Sequence, residues 1–339
     1  PGRAIMPIYD ALYDYKEKLN HILVRHEQGG IHAGQGFART SGKVGVVFAT
    51  SGPGATNLVT GLADAMIDST PLVCITGQVF AHLLGTDAFQ ETDVINITTP
   101  VTKWNYQITD ATEIPEVISK AFYIARSGRP GPVLIDITKN AQIQKFDYSG
   151  YTPCNHIRSY RPKPLIRKEY ITQAAELINQ AKKPFIIWGQ GVILGEAEQE
   201  FKTFVEKSGI PSAWTILGAG AIPTDHPLNV GMLGMHGTVE ANNAMQNCDV
   251  LLAVLRYDSV DEGERALPVR HAVEEGAPGV HLDGGGRIAG EEGIAPEVFG
   301  PHDAFEQRQV ALALQPQGER RRLQADDLSG VGFPHGLAI

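Results

Sequence analysis

The stretch VGVVFATSGPGATN, residues 44–57, decides the fold. Val44–Ala49 is apolar and rich in β-branched side chains, the signature of a short buried strand. Gly52, Pro53 and Gly54 break the run, and a helical pattern follows over Ala55–Asp68. A strand that passes through a tight turn into a helix is the opening of a βαβ unit. The same alternation extends on both sides. Upstream, Ile22–Arg25 reads as a strand and Gly30–Thr40 as a helix. Downstream, Pro71–Thr76 and Pro132–Thr138 read as strands and Ile114–Ser127 as a helix. Asp110 to Glu113 has the spacing of a capping box before that helix, and Thr112 is an equal candidate for the cap. The pattern predicts an α/β domain with a doubly wound parallel sheet over residues 1–140.

Residues 141–165 are polar and contain Pro153, Pro162 and Pro164, which predicts a linker. The alternation then restarts. Lys168–Ala181 and Glu196–Lys207 read as helices. Pro184–Trp188, Ser212–Thr215, Val230–Leu233, Asp249–Val254 and Gly279–Leu282 read as strands. A second doubly wound domain is expected over 166–300, with a poorly patterned tail over 301–339. Lysine is absent after Lys207, and the periodic pattern fades from about Leu255 onward.

A chain of 339 residues suits two domains, and its net charge of -9 disfavours nucleic acid and anionic membranes as partners. The run Arg320, Arg321, Arg322 reads as a solvated tail. No apolar run is long enough to span a membrane. Cys74, Cys154 and Cys248 form no Cys-x-x-Cys pair, which fits a reducing compartment without a disulfide framework. Cys74 and Cys248 adjoin strand-like runs and read as core thiols.

In an open α/β sheet, ligands bind beyond the carboxyl ends of the strands. Glu27 lies at one such end, before Gly29 and Gly30. A partly buried carboxylate there can act as a general acid or base, although position alone favours a helix-start glutamate answering the helix dipole. The segment Ser51–Asn57 can admit a ligand close to its backbone, or be only a strand-to-helix turn. It lacks the lysine of a P-loop. Thr76-Gly77-Gln78 and Gly85–Glu91 could present Phe89 and Gln90 to a substrate, or form a surface loop capped at Thr86 or Asp87. In the second domain Gly189-Gln190-Gly191 follows a strand, but Leu194 stands where a dinucleotide fingerprint needs its third glycine.

Together these segments are far more specific. VRHEQGGIHAGQG (24–36), FATSGPGATN (48–57), TGQV (76–79) and GTDAFQE (85–91) resemble the pyrimidine-binding domain of the acetolactate synthase catalytic subunit, a thiamine-diphosphate-dependent family. Thr102–Asn105 and Ser127–Pro132 continue the resemblance, which runs collinearly to about Val254. It implies decarboxylation of pyruvate and joining of the product to a second 2-oxoacid, in branched-chain amino-acid synthesis. It implies that Glu27 faces N1′ of the cofactor aminopyrimidine and that Gly52, Pro53, Gly54, Asn57 and Gln78 border the cofactor. Phe89 and Gln90 would line the substrate side, and Lys103 the entrance. FAD would contact Arg129, Gly189, Gly191, Thr215, Gly234, Met235, His236, Gly237 and Arg256.

The resemblance also implies a cytoplasmic homodimer or larger assembly, with a small regulatory subunit as a further partner. The diphosphate and Mg²⁺ would be held by a third domain opening on Gly-Asp-Gly. No such motif occurs in these 339 residues, so the chain is expected to be a fragment, inactive on its own. Related thiamine-diphosphate decarboxylases or oxidases, and a non-catalytic flavin-binding or assembly fragment, are the alternatives. Three departures stand out. Arg3 replaces a glycine at a loop expected to admit substrate. Leu255–Val260 departs from the expected flavin segment, and His281-Leu282-Asp283 runs into three glycines.

Overall fold

Two strands, Leu72–Gln78 and Pro132–Thr138, are buried along their whole length, as strands at the centre of a covered parallel sheet must be. The computed structural model describes residues 2–162 and 167–255, and the chain divides into two compact units between residues 162 and 163. The first unit contains β1 (Gly45–Ala49), β2 (Leu72–Gln78), β3 (Trp104–Ile108) and β4 (Pro132–Thr138), all parallel, in the order β1-β2-β4-β3. Its helices are α1 (Met6–Asp14), α2 (Glu27–Ser41), α3 (Pro53–Thr56), α4 (Val59–Ile67), α5 (Val94–Thr98), α6 (Ile114–Arg126) and α7 (Lys139–Ile143).

Strand side chains alternate between two cores. Leu72, Cys74 and Leu134 face Ile31 of α2, Leu62 and Ala65 of α4 and Val94 of α5. Val73, Ile75, Val133, Ile135 and Ile137 face Val117, Ala121 and Ile124 of α6 and Ala141 of α7. Each fully buried Leu or Ile contributes about 1.5–3 kcal/mol relative to exposure. Burial pushes the Cys74 thiol up to about 12, as befits a core thiol.

The second unit repeats the plan with α8 (Lys168–Gln180), β5 (Pro184–Trp188), α9 (Gln190–Leu194), α10 (Glu198–Ser208), β6 (Ser212–Trp214), β7 (Asn229–Met232), α11 (Val239–Gln246) and β8 (Val250–Val254). Its sheet is parallel in the order β7-β6-β5-β8. Trp188, Phe201, Val205 and Val254 pack on one face, and Phe185, Ala213, Ala241 and Ala244 on the other. Two parallel-sheet α/β domains are therefore present, as the alternation predicts. Among the described residues no helix is long and apolar enough to cross a membrane.

Several local expectations change. Ile22–Arg25 joins no strand, and Ile22 and Leu23 are exposed; β1 is the edge of the sheet on its side. The β-branched pattern there finds no ladder to complete. The helix expected over Ala55–Asp68 is two helices, because the chain tightens at Leu58, whose N–H reaches back only to Ala55 O. The strand ending at Thr76 continues to Gln78. The strand Trp104–Ile108 is missed by sequence, since WNYQI pairs on one side only, with β4. Asp110 caps a short turn by accepting from Thr112 N, while Glu113 accepts from Tyr106 Oη instead of closing a capping box. The described part of 141–165 lies within the first unit: Cys154 N donates to Ser119 Oγ and Ile157 packs against the β4 core. The strand expected over Gly279–Leu282 falls outside the described residues.

Candidate functional site

His26 fixes where α2 begins. Its Nδ1 accepts from Gln28 N at 3.1 Å, so Glu27 is the first helical residue, at the positive end of the helix. Gly29 and Gly30 lie inside the helix, not before it. The Glu27 carboxylate is half-buried beside the turn that follows β1. Asn57 Nδ2 donates to its Oε2 at 3.0 Å. Oε1 takes no hydrogen bond among the described residues. It faces the bare side of Gly54, where a Cβ would stand 3.4 Å from Oε1 and 2.7 Å from Thr50 Cγ2. The arrangement is a carboxylate with one oxygen tied and one oxygen open onto a glycine shelf. Tyr9 of α1 borders it. Burial and the Glu27 charge both push the Tyr9 phenol upward.

The N-terminal segment crosses the same end of the sheet. A Cβ on Gly2 would lie 2.5 Å from Thr50 Oγ1, a buried hydroxyl without a partner among the described residues. Lys139 Nζ donates to Arg3 O and Gln142 Nε2 to Ala4 O, while Arg3 itself is exposed.

The loop carrying Phe89 and Gln90 leans on the glycine turn. Gly52 has φ +56°, and a Cβ there would meet Gln90 O at 2.6 Å. Asp87 and Gln90 also adopt positive φ, 56° and 60°, a costly conformation for side-chain-bearing residues. Phe89 is 88% exposed, so the loop presents the ring outward. Gln78 does not present its amide to a ligand. Its Nε2 donates to Thr92 O and to Asp136 Oδ2, and its Oε1 accepts from Val79 N.

Glu27, Gly52, Pro53, Gly54, Asn57, Gln78, Phe89 and Gln90 thus gather at the carboxyl end of the first sheet. Lys103 and Arg129 do not join them. Lys103 precedes β3, at the amino end of the strands. Its Nζ donates to Ile124 O and Ser127 O at the end of α6 and to Tyr160 Oη. Burial, with the nearby Arg129 charge, pushes the amine down to about 7, whereas the two carbonyls favour the ammonium. Arg129 donates to Met66 O, Ile67 O and Ser69 Oγ at the end of α4.

In the second unit, the ends of β5, β6 and β7 assemble Gly189, Thr215 and the loop Leu233–Gly237. A Cβ on Gly189 would stand 3.1 Å from Thr215 Oγ1. Gly191 is buried in α9, and Met235 and His236 are exposed. Arg256 lies outside the described residues. Among the described residues no cluster of His, Cys, Asp and Glu could hold a metal ion.

Sequence reasoning passed over Thr50, Tyr9 and Asp136. Only Asp136 left a signal, a lone acid within the apolar run PVLIDIT.

Residues 1–97 match the thiamine pyrophosphate enzyme N-terminal TPP binding domain, and residues 171–273 the thiamine pyrophosphate enzyme central domain. The acetolactate synthase large subunit of Corynebacterium glutamicum is 49% identical over 265 residues, covering 78% of this chain and 42% of that protein. A probable acetolactate synthase large subunit of Methanocaldococcus jannaschii is 49% identical over 256 residues, covering 75% of this chain and 43% of that protein. The large subunit of Pyropia yezoensis is 46% identical over 262 residues, covering 76% and 44%. The chain spans less than half the length of the curated relatives it matches.

Proposed function

The chain carries the N-terminal TPP binding domain and the central domain of the thiamine pyrophosphate enzymes, and on that premise we propose that it acts as part of an acetolactate synthase catalytic subunit, decarboxylating pyruvate and joining the product to a second 2-oxoacid for branched-chain amino-acid synthesis. The observation that carries this reading is the half-tied carboxylate of Glu27, with Oε2 held by Asn57 and Oε1 open onto Gly54. The residues present suit an aminopyrimidine: the open oxygen of Glu27 is an acceptor for a ring nitrogen, beside a turn that Gly52 and Gly54 keep close-packed against Gln90 and Thr50. Thiamine diphosphate, when bound, supplies the electron sink for decarboxylation. Glu27 Oε1 gives and takes the proton at the pyrimidine N1′. Asn57 keeps the carboxylate from rotating away, and Gly52 and Gly54 allow close approach. Phe89 and Gln90 line the substrate side.

Mg²⁺ and the diphosphate are held by a third domain, in a dimer of catalytic subunits. FAD lies on the crest formed by Gly189, Thr215 and Leu233–Gly237. Lys103 and Arg129, placed at the amino end of the first sheet, tie the ends of α6 and α4 through donors on backbone carbonyls.

The test is a chimera in which residues 2–255 replace their counterparts in the Corynebacterium glutamicum large subunit, assayed for acetolactate from pyruvate with thiamine diphosphate, Mg²⁺ and FAD. Turnover is expected, and Glu27→Gln should lower it by roughly 10²–10⁴-fold. A folded chimera that releases acetaldehyde without acetolactate would point to a decarboxylase instead. Unchanged turnover in Glu27→Gln would remove Glu27 from the chemistry.

A further inference from the structure

We propose that Asp136 is the positioning residue that fixes segment 79–93, and with it Phe89 and Gln90, by setting the orientation of the Gln78 amide. The inference rests on the reading that Phe89 and Gln90 serve the substrate. Its structural half stands without that reading.

Asp136 is fully buried in β4, at the register positions opposite Thr76 of β2 and Gln107 of β3. Its Oδ1 accepts from Thr76 Oγ1 at 2.6 Å. Its Oδ2 accepts from Gln78 Nε2 at 3.1 Å and from Gln107 Nε2 at 2.9 Å. A buried acid is an expensive way to fill a sheet centre, because a hydrophobic side chain of similar volume is often neutral or stabilising there. What the acid adds is direction. The Gln78 amide donates once to Asp136 and once to Thr92 O, and its oxygen accepts from Val79 N. Turned over, the amide would set its oxygen against both the carboxylate and the Thr92 carbonyl. Two acceptor–acceptor contacts at hydrogen-bond distance oppose that flip, and Asp136 supplies one of them, reinforcing the orientation that Thr92 O and Val79 N also favour.

Thr92 closes the segment that leaves β2 at Gln78. Within it, Gln90 lies against Gly52 through its backbone and adopts a positive φ. The Gln78 bond to Thr92 O is therefore a polar tie from the sheet to the far end of a strained loop, next to Asp93, which caps α5. Beyond it, Asn105 Nδ2 donates to Ile95 O and Thr98 Oγ1 and fixes α5 separately. Burial pushes the Asp136 carboxyl upward, and its three donors pull against that shift. Either protonation state preserves the arrangement, since a protonated Oδ1 can donate to the Thr76 hydroxyl while Oδ2 keeps both amides.

The test is amide hydrogen exchange on the full chain. Asp136→Leu should speed exchange over 79–93 by roughly 10-fold relative to β1 and α6, the equivalent of one lost net hydrogen bond. Asp136→Asn should behave as the parent, because its Oδ1 can take both amides and its Nδ2 can donate to Thr76 Oγ1. If Asp136→Leu does not fold, Gln78→Met is read in the same way. Unchanged exchange over 79–93, a rise spread evenly over the first unit, or an Asp136→Asn that exchanges like Asp136→Leu would each overturn the proposal. If the loop loosens as expected but Phe89→Ala and Gln90→Ala leave the chimera's turnover unchanged, the substrate role of the loop fails and the positioning role stands.

Discussion

Replacing Gly52 by alanine tests the geometry of the candidate site most directly. Gly52 has φ +56° and ψ -118°, a region that a Cβ makes costly by about 1–3 kcal/mol. The added methyl would also lie 2.6 Å from Gln90 O and 3.0 Å from Gln90 C. Those are backbone atoms of a residue already at positive φ, so they cannot yield as a flexible side chain would. Overpacking of this kind costs about 1–3 kcal/mol more. The expected loss is therefore about 2–6 kcal/mol. With a urea m-value of about 2 kcal/mol/M, the midpoint of the first unit should fall by about 1–3 M.

Two further glycines calibrate the scale. Gly42 has φ +68° but open space around it, so Gly42→Ala should cost about 1 kcal/mol from the dihedral alone. Gly36 lies in the interior of α2 with open space around it, and alanine there should stabilise by about 0.5–1 kcal/mol. Urea unfolding, followed by exchange of the β2 and β4 amides, reports the first unit. A Gly52→Ala midpoint within 0.25 M of the parent, about 0.5 kcal/mol on the same m-value, would refute the reasoning. So would a Gly42→Ala that loses as much as Gly52→Ala.

Other outcomes follow from the same structure. The Lys103 amine is pushed down to about 7 from 10.5, so between those values the unfolded chain binds more protons and stability rises with pH. From pH 6.5 to 8.5 the parent should gain at most about 2 kcal/mol, less to the extent that the carbonyls favour the charge, and Lys103→Met should lose that slope. Equal slopes in urea titrations would argue against the buried amine. Asn57→Asp sets a carboxylate against Glu27 at the present 3.0 Å contact, so its urea midpoint should fall further at pH 8 than at pH 5; a pH-independent change would contradict the contact. The Cys74 thiol, buried and pushed up to about 12, should resist iodoacetamide at pH 8 until the first unit unfolds. Alkylation at the rate of Cys154 would show that the core opens.

How much of this was legible in the chain depends on where each signal came from. Pro132–Thr138 and Pro184–Trp188 coincide with the strands of the structure because a strand buried on both faces writes itself as an unbroken apolar run. The doubly wound plan was visible for the same reason. Trp104–Ile108 was not, because an edge strand needs only half of its surface apolar. Ile22–Arg25 failed in the opposite sense: its side chains suit a ladder, but pairing depends on a neighbour that the local sequence does not specify. The glycine turn was marked by its position at the end of β1, whereas Glu27 was marked by an expected strand, Ile22–Arg25, that does not form; the start of α2 places it at the crevice instead.

By itself, then, the sequence determined the two parallel-sheet domains and the segments that meet at the carboxyl end of the first. Periodicity and strand-end glycines are local properties, and they survive in a string of letters. Only the tertiary structure decided which atoms face one another. Asn57 reaches Glu27 across thirty positions of chain, and Asp136 meets Thr76 and Gln107 through sheet register. Lys103 turns to the carbonyls at the end of α6 instead of to the crevice. Those pairings depend on strand order and crossover, which bring distant residues within hydrogen-bond reach and leave no periodic trace in the sequence.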